Sequence, residues 1–405
     1  MRTRALLAVT ALALGLVACD EDSNPTGVEP TANAEHAQLD DIVYEIVHLA
    51  SLGGTASSGN GINNRGLVVG SSNLPGGNMH AALWDDGTPI DLGTLGGPHS
   101  NVAWPGINTS GTMIVGIAET AEPGGETWAC QFFFPTATGS RCLGFVYENG
   151  VMSPLPTFPG GTNGFATGAN SRGQVVGWAE NDVEDPTCNA PVTFQFRAAV
   201  WEPRRDGMTE LAPLPGDSTS AATAINERGQ VVGISGDCAN AVGGFSARHA
   251  VLWEKDGSVS RIGDLGGEAW HTPMDINNHG EVVGFGNPDD VPGAAFGIEA
   301  FYWSAHAGID SLGVLPGQVT SQALGINNRG QVVGTSSGSP DGGRAFIWDG
   351  GEIIDLNDLA DPDYEGTLRV AGHINDAGVI TGVALDPDTG DEVTFVATPT
   401  GAGNQ

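Results

Sequence analysis

The chain has 405 residues, with 15 lysines and arginines against 48 aspartates and glutamates, for a formal charge of −33. A surface this negative repels a phosphate backbone, which excludes nucleic-acid binding and makes anionic lipid headgroups poor partners. The same acidity suits solubility, divalent cations or a saline habitat, and composition alone does not choose among these.

The first residues read as a targeting segment. Arg2 and Arg4 precede an uncharged apolar run, Ala5 to Val17. That run is too short to span a bilayer, which takes about 20 apolar residues, but it fits a secretory signal. It ends in Leu16-Val17-Ala18-Cys19, which resembles the lipobox of bacterial lipoproteins. The resemblance implies cleavage after residue 18 and lipid attachment at Cys19, so the protein would be exported and held to the cell envelope by a lipid anchor alone, on the periplasmic side or the cell surface. Asp20 follows, and which membrane holds the anchor stays open. Residues 19–40 are acidic and polar, contain two prolines and show no apolar periodicity, the composition of a flexible tether. If Cys19 carries lipid, Cys130, Cys142, Cys188 and Cys238 remain. An even number of cysteines in an exported chain predicts disulfides, and four allow three pairings.

From residue 41 to 399 one pattern recurs seven times. Ile-Asn-x-x-Gly-x-Val-Val-Gly, or a close variant, places asparagines at 63, 108, 170, 226, 277, 327 and 375, about 52 residues apart on average. Each is followed three places later by glycine, which predicts a type I turn with Asn first and Gly fourth. A third strand follows in each copy, such as His80–Trp84, Ala198–Trp201 and Arg344–Trp348, then a turn such as Asp86-Gly87 and a fourth strand such as 90–97, 261–267 or 310–317. Four short strands per repeat predict an all-β, seven-bladed propeller. Residues 42–54 look like a fourth strand without its first three, whereas the last repeat stops after its third. The N-terminal strand is therefore expected to complete the last blade and remove both sheet edges. Residues 400–405 read as a disordered tail.

The alternation of LGxLGG, INxxGxVVG and HAFxW-like strings over residues 42–398 resembles the bacterial extracellular HAF-repeat proteins. This chain departs from the pattern in its third strands, where only His80 and His249 keep the histidine, and in the last fourth-strand string, LNDLAD at 356–361. The resemblance implies a repeat fold and export, and no defined activity.

Candidate chemistry is sparse. Gly334-Thr-Ser336-Ser-Gly338 matches the G-x-S-x-G string of hydrolases, but no helix follows to expose the serine. The nine histidines show no zinc-type spacing. Asp386, Asp388 and Asp391 alternate around a glycine like part of a calcium loop, with Ca2+ the ion they would hold. The tryptophans that recur in the third strands read as packing between blades. Trp104, Trp128, Trp178 and Trp270 lie outside those strands and are the candidates for ligand contact.

Chain geometry gathers the long connections after every second strand on one face: 117–143, 178–197, 234–248, 285–299 and 383–392. All four spare cysteines lie there. Cys130 and Cys142 share one loop, which favours their pairing and leaves Cys188 and Cys238 to bridge neighbouring blades. Function tends to ride on long loops held by a rigid frame. The expectation is a monomeric binding or scaffold module for a protein or glycan of the cell envelope, and not an enzyme. The alternative is a hydrolase or lyase acting on polysaccharide or peptide with loop carboxylates such as Glu180, Asp182, Glu184 and Asp185.

Overall fold

The computed structural model describes residues 42–124, 128–134, 138–239, 243–288 and 297–400. The signal segment, Cys19, the tether and residues 401–405 lie outside them. Seven antiparallel sheets of four strands follow one another along the chain. Blade 1 runs over residues 57–91, blade 2 over 96–154, blade 3 over 164–211, blade 4 over 219–263, blade 5 over 272–313 and blade 6 over 320–355. Blade 7 takes three strands from 367–400 and its fourth from Val43–His48, which pairs with the strand Glu392–Thr400. The N-terminal strand thus closes the ring as expected.

The repeat motif forms the predicted turn. In blade 1, Gly66 N donates to Asn63 O (3.0 Å), while Asn63 Oδ1 accepts from Arg65 N (3.0 Å) and Leu67 N (3.1 Å). Gly66 sits at φ +80°, where a Cβ would be strained. The third and fourth strands are joined by tight turns, and in blade 1 both central residues, Asp86 (φ 49°) and Gly87 (φ 73°), are left-handed. The fourth strands end sooner than the sequence suggests, at Asp91, Gly263 and Gly313. Left-handed Gly93, Gly263 and Gly313 turn the chain there, and the rest of each string crosses to the next blade.

The core lies between blades. Met113, Val115 and Val146 of blade 2 pack on Ala166, Val175 and Trp201 of blade 3, and Val283 and Ala300 of blade 5 on Ala323, Val332 and Phe346 of blade 6. Polar staples recur across the same seams. Ser100, Ser220 and Ser321 each accept from a third-strand N–H of the preceding blade (2.8, 3.0 and 2.8 Å) and donate to a carbonyl at the end of its fourth strand. Trp84, Trp201 and Trp253 are buried, and their indoles donate to Ala50, Pro156 and Ala212 carbonyls in the exit loop of the preceding blade. Packing between blades is therefore their role, as their recurrence predicted.

Blade 2 departs from the pattern. Its first strand ends at Asn101, and the chain rejoins the sheet only at an Ile107–Ile114 bridge. The detour contains Pro105, which has no N–H to give a ladder. It swings Trp104 out of the blade toward the propeller axis.

Candidate functional site

The axis has two unlike ends. At the turn end, first-strand residues of all seven blades line one cavity of about 120 Å3, among them Ile62, Ile107, Gly168, Ala224, Ile276, Ile326 and Ile374. Two hydrogen-bonded rings surround it. In one, five of the seven repeat asparagines donate Nδ2 to the carbonyl of the same asparagine in the next blade: Asn170 to Asn226 (3.2 Å), Asn226 to Asn277 (3.0 Å), Asn277 to Asn327 (3.1 Å), Asn327 to Asn375 (3.0 Å) and Asn375 to Asn63 (3.0 Å). In the other, the backbone N–H one residue later donates to the side-chain oxygen of its neighbour. These bonds run Ser171 to Glu227, Glu227 to Asn278, Asn278 to Asn328, Asn328 to Asp376 and Asp376 to Asn64, at 2.8–3.0 Å. Burial would raise the Asp376 pKa, but the bonds from the Asn328 backbone and side chain and from Asn64 outweigh it and hold the carboxyl below its usual range. The asparagine ring stops at blade 2, where the buried Asn63 Nδ2 has no partner and Asn108 turns its own amide to Thr112.

One axial position breaks the repeat chemically. Two residues before each asparagine stand Gly61, Gly106, Gly168, Ala224, Asp275, Gly325 and His373. The two large residues meet beside Gly325, with His373 Nε2 3.4 Å from Asp275 Oδ2. Asp275 Oδ2 also accepts from Ile326 N (2.9 Å), and His373 Nδ1 lies 3.0 Å from Ile62 O. Each side chain therefore reaches into the following blade, and the pair ties blades 5, 6, 7 and 1 together.

At the other end the long connections cover the axis. They follow every second strand, as chain geometry required. The connection in blade 2 carries a helix, Trp128–Phe133, and a disulfide, Cys130–Cys142; a second disulfide, Cys188–Cys238, joins blade 3 to blade 4. Both pairings are the favoured ones. Ala129, Cys130 and Phe134 are buried in one apolar cluster with Phe165, Trp178, Phe196, Cys238 and Ala247, which spans blades 2 to 4. Trp104 and Trp270 pack against it part-buried and also touch Met274 and Phe285 of blade 5. Trp104 meets Phe165 (5.3 Å) and Phe133 (6.0 Å) edge-on, and its Nε1 has no hydrogen-bond partner. Trp270 has φ 68°, a costly backbone conformation for a large side chain, held by Trp270 N donating to Gly244 O (3.1 Å).

Of the proposed ligand-contact tryptophans, Trp104 and Trp270 thus pack on the same apolar clusters beneath the long-loop face. Trp178 is instead a core residue. It is 1% exposed and wedged between Phe165 and Phe196, because its second strand turns that side chain into the core. Trp128 opens the helix, but its side chain lies outside the described residues. Four of the eight exposed large apolar side chains among the described residues lie on the same face, Phe132 in the helix, Val183 at the tip of blade 3, Phe245 in blade 4 and Val319 at the entry to blade 6, and the other four, Val43, Val47, Ile90 and Val151, lie on outer fourth strands.

Of the carboxylates proposed for catalysis, Glu180 and Asp185 are committed to structure, whereas Asp182 and Glu184 are exposed; Ser336, of the G-x-S-x-G string, is committed as well. Glu180 is fully buried and accepts from Thr162 N (3.3 Å), Thr162 Oγ1 (2.7 Å), Asn163 N (2.9 Å) and Asn163 Nδ2 (3.1 Å). Burial would raise Asp185, but hydrogen bonds from Ser218, Thr187 and Gln195 lower its pKa below the usual value. Ser336 is fully buried, donating to Thr320 O (2.8 Å) and accepting from Leu315 N (3.1 Å). Ser235, Asp217 and His249 do meet, at 2.6 and 2.8 Å, but the carboxylate stands between hydroxyl and imidazole. A nucleophilic triad needs the imidazole in the middle.

Asp386 Oδ1 accepts from Asp388 N (3.0 Å) and Thr389 N (2.9 Å), which shapes its own hairpin loop. Asp386, Asp388 and Asp391 do not form a group of three potential metal donors. Among the described residues, the one group of three potential metal donors is Glu119 with Cys130 and Cys142, and both sulfurs are in the disulfide.

Sequence reasoning missed Glu119, Asp275 and His373. The signal was positional. Glu119 and Glu180 stand three residues after the Val-Val-Gly glycine in neighbouring blades, and Asp275 and His373 occupy an otherwise small site.

No protein-family model matches the chain, and no curated protein does. Similar solved structures are an oligogalacturonate lyase in complex with manganese (TM-score 0.50, 11% identity, covering 89% of this chain and 97% of that one) and the β-propeller domain of the Trilobed protease from Pyrococcus furiosus (0.48, 9%, 90% and 96%). An acylaminoacyl peptidase matches with TM-score 0.48 and 11% identity over 85% of this chain and 52% of its own, so the chain spans about half the length of that enzyme. At these identities the likeness is one of fold, that of the β-propeller.

Proposed function

We propose that this protein is an extracytoplasmic binding or scaffold module, tethered to the cell envelope through Cys19, whose long-loop face takes a partner. The observation that carries the reading is the exposure of Phe132, Val183, Phe245 and Val319 on one face, above a cluster pinned by two disulfides. Large apolar side chains grouped on a rigid face mark an interaction site more often than chance exposure does. The disulfides fit an oxidising compartment, and among the described residues no helix is long and apolar enough to cross a membrane. The commitment of Glu180, Asp185 and Ser336 to structural hydrogen bonds supports binding over hydrolysis.

The test is a pull-down from native envelopes with the mature chain and a Phe132→Ser, Phe245→Ser variant. Point substitutions leave the 117–143 loop in place, where Cys130, Phe134 and Cys142 are core residues. A partner held by the native chain and lost by the variant supports the reading. A partner held equally by both sinks it.

A further inference from the structure

We propose that the partner engages the long-loop face through a cationic segment that also bears apolar side chains. The proposal rests on the reading of that face as the binding surface and adds the chemistry of what binds.

The argument is one of charge on an apolar ground. At the tip of blade 3, Val183 is 48% exposed and lies between Asp182 and Glu184, both exposed and without a cationic partner among the described residues. To one side, in blade 2, stands Phe132, 62% exposed; to the other, in blade 4, Phe245, 43% exposed. Three consecutive blades therefore offer exposed apolar side chains, and the middle one adds two carboxylates, Asp182 and Glu184, with no cationic partner among the described residues. The arginines nearest to them are already occupied. Arg141 faces Glu122 (3.7 Å), and Arg248 faces Asp237 (3.2 Å) while lying over the Phe245 ring at 5.5 Å. No free cation of the described chain is left to meet an acidic partner there.

The opposite face differs. Arg65, Arg172, Arg228 and Arg329 all sit in the asparagine turns, so a share of the scarce positive charge is on the turn face. The Arg248–Phe245 contact also shows the geometry that an incoming guanidinium or ammonium would repeat on Phe132. Apolar anchors would supply the contact, and complementary charge would set the choice of partner and speed encounter. An acidic or polyanionic partner would place like charges together, which is strongly unfavourable.

Short labelled peptides test this on the full mature chain by fluorescence anisotropy. One alternates Lys and Leu, one Lys and Gly, and one Glu and Leu. The Lys-Leu peptide should bind at least about tenfold tighter than either control. Binding should weaken as salt rises from about 0.1 M to about 1 M, and should fall about tenfold in the Phe132→Ser, Phe245→Ser variant. A Val43→Ser, Val47→Ser variant, altered on the outer edge strand, should bind like the native chain and guards against a general loss of stickiness. Equal binding of Lys-Gly would reduce the effect to bare charge attraction and overturn the proposal. Equal binding of Glu-Leu would show that charge has no role, and no binding of any peptide would also overturn it. A neutral or acidic partner lost from the variant in the pull-down would leave the binding reading standing and sink this one alone.

Discussion

Replacing Asn327 by alanine should cost far more than the same change at Asn63, although the two occupy the same place in the repeat. Both side chains cap their own turn, where Oδ1 accepts two backbone N–H groups: Arg329 and Gln331 at one site, Arg65 and Leu67 at the other. Losing that cap costs about 1–2 kcal/mol at either position. Asn327 Nδ2 also donates to Asn375 O (3.0 Å) in the next blade and to Gln331 Oε1 (2.8 Å). Alanine removes both bonds and leaves a buried carbonyl without its donor, which adds about 2 kcal/mol. Asn63 Nδ2 is buried with no acceptor, so alanine there removes an unsatisfied group. The expected losses are about 3–4 kcal/mol at Asn327 and about 1–2 kcal/mol at Asn63. Urea denaturation followed by tryptophan fluorescence measures both. Losses equal within about 0.5 kcal/mol would refute the claim that the asparagine ring holds neighbouring blades together.

Glu180→Gln should destabilise by about 3 kcal/mol, since an amide N–H would face donors from Thr162 and Asn163. Glu119→Gln, at the equivalent place in blade 2, should change stability by no more than about 1 kcal/mol, because Glu119 Oε2 is buried without a partner; denaturant midpoints of the two variants decide. Removing Cys188–Cys238, which closes a separation of 50 residues, should cost about 4 kcal/mol, and Cys130–Cys142, with a separation of 12, about 3 kcal/mol, read from Cys→Ser double variants. Burial lowers the pKa of His99, against the opposing pull of Glu119, and burial likewise lowers that of His271. The unfolded chain therefore binds protons first as pH drops below 6.5. Stability should fall as pH drops below 6.5, by up to about 1.4 kcal/mol per pH unit per histidine, and a His99→Gln, His271→Gln variant should flatten that slope in thermal melts across pH.

Much of the frame was legible because it is local and repeated. The Asn…Gly turn, the strand triplets and the unpaired N-terminal strand are each written within a few residues, and seven copies make a chance match untenable. The extents of the fourth strands were not legible, because the apolar LGxLGG string runs on past the glycine that turns the chain. Blade 2 was misjudged for a similar reason. Its motif is intact at Ile107-Asn108, and only the sheet reveals that Pro105 has taken the preceding residues out of the ladder. The site was less legible still. Trp178 and Trp104 both stand outside the repeated tryptophan position, yet one is core and the other lies at the axis. Their difference depends on what the neighbouring blades present to them. Asp275 and His373 are 98 residues apart in sequence and meet only because the ring brings blade 7 past blade 6.

The strand that closes the ring also gives the molecule a direction. Val43 lies beside Thr400 and His48 beside Phe395, so the chain enters blade 7 at the turn face and its last strand leaves there too. Both ends of the propeller thus depart from the side opposite the long loops. If Cys19 carries lipid, the anchor joins the propeller on its turn face, opposite the aromatic, acidic one. The same polarity governs handling in the laboratory: a tag, a bead or a fused domain at either end stays behind the disc, with the long-loop face open to whatever it meets.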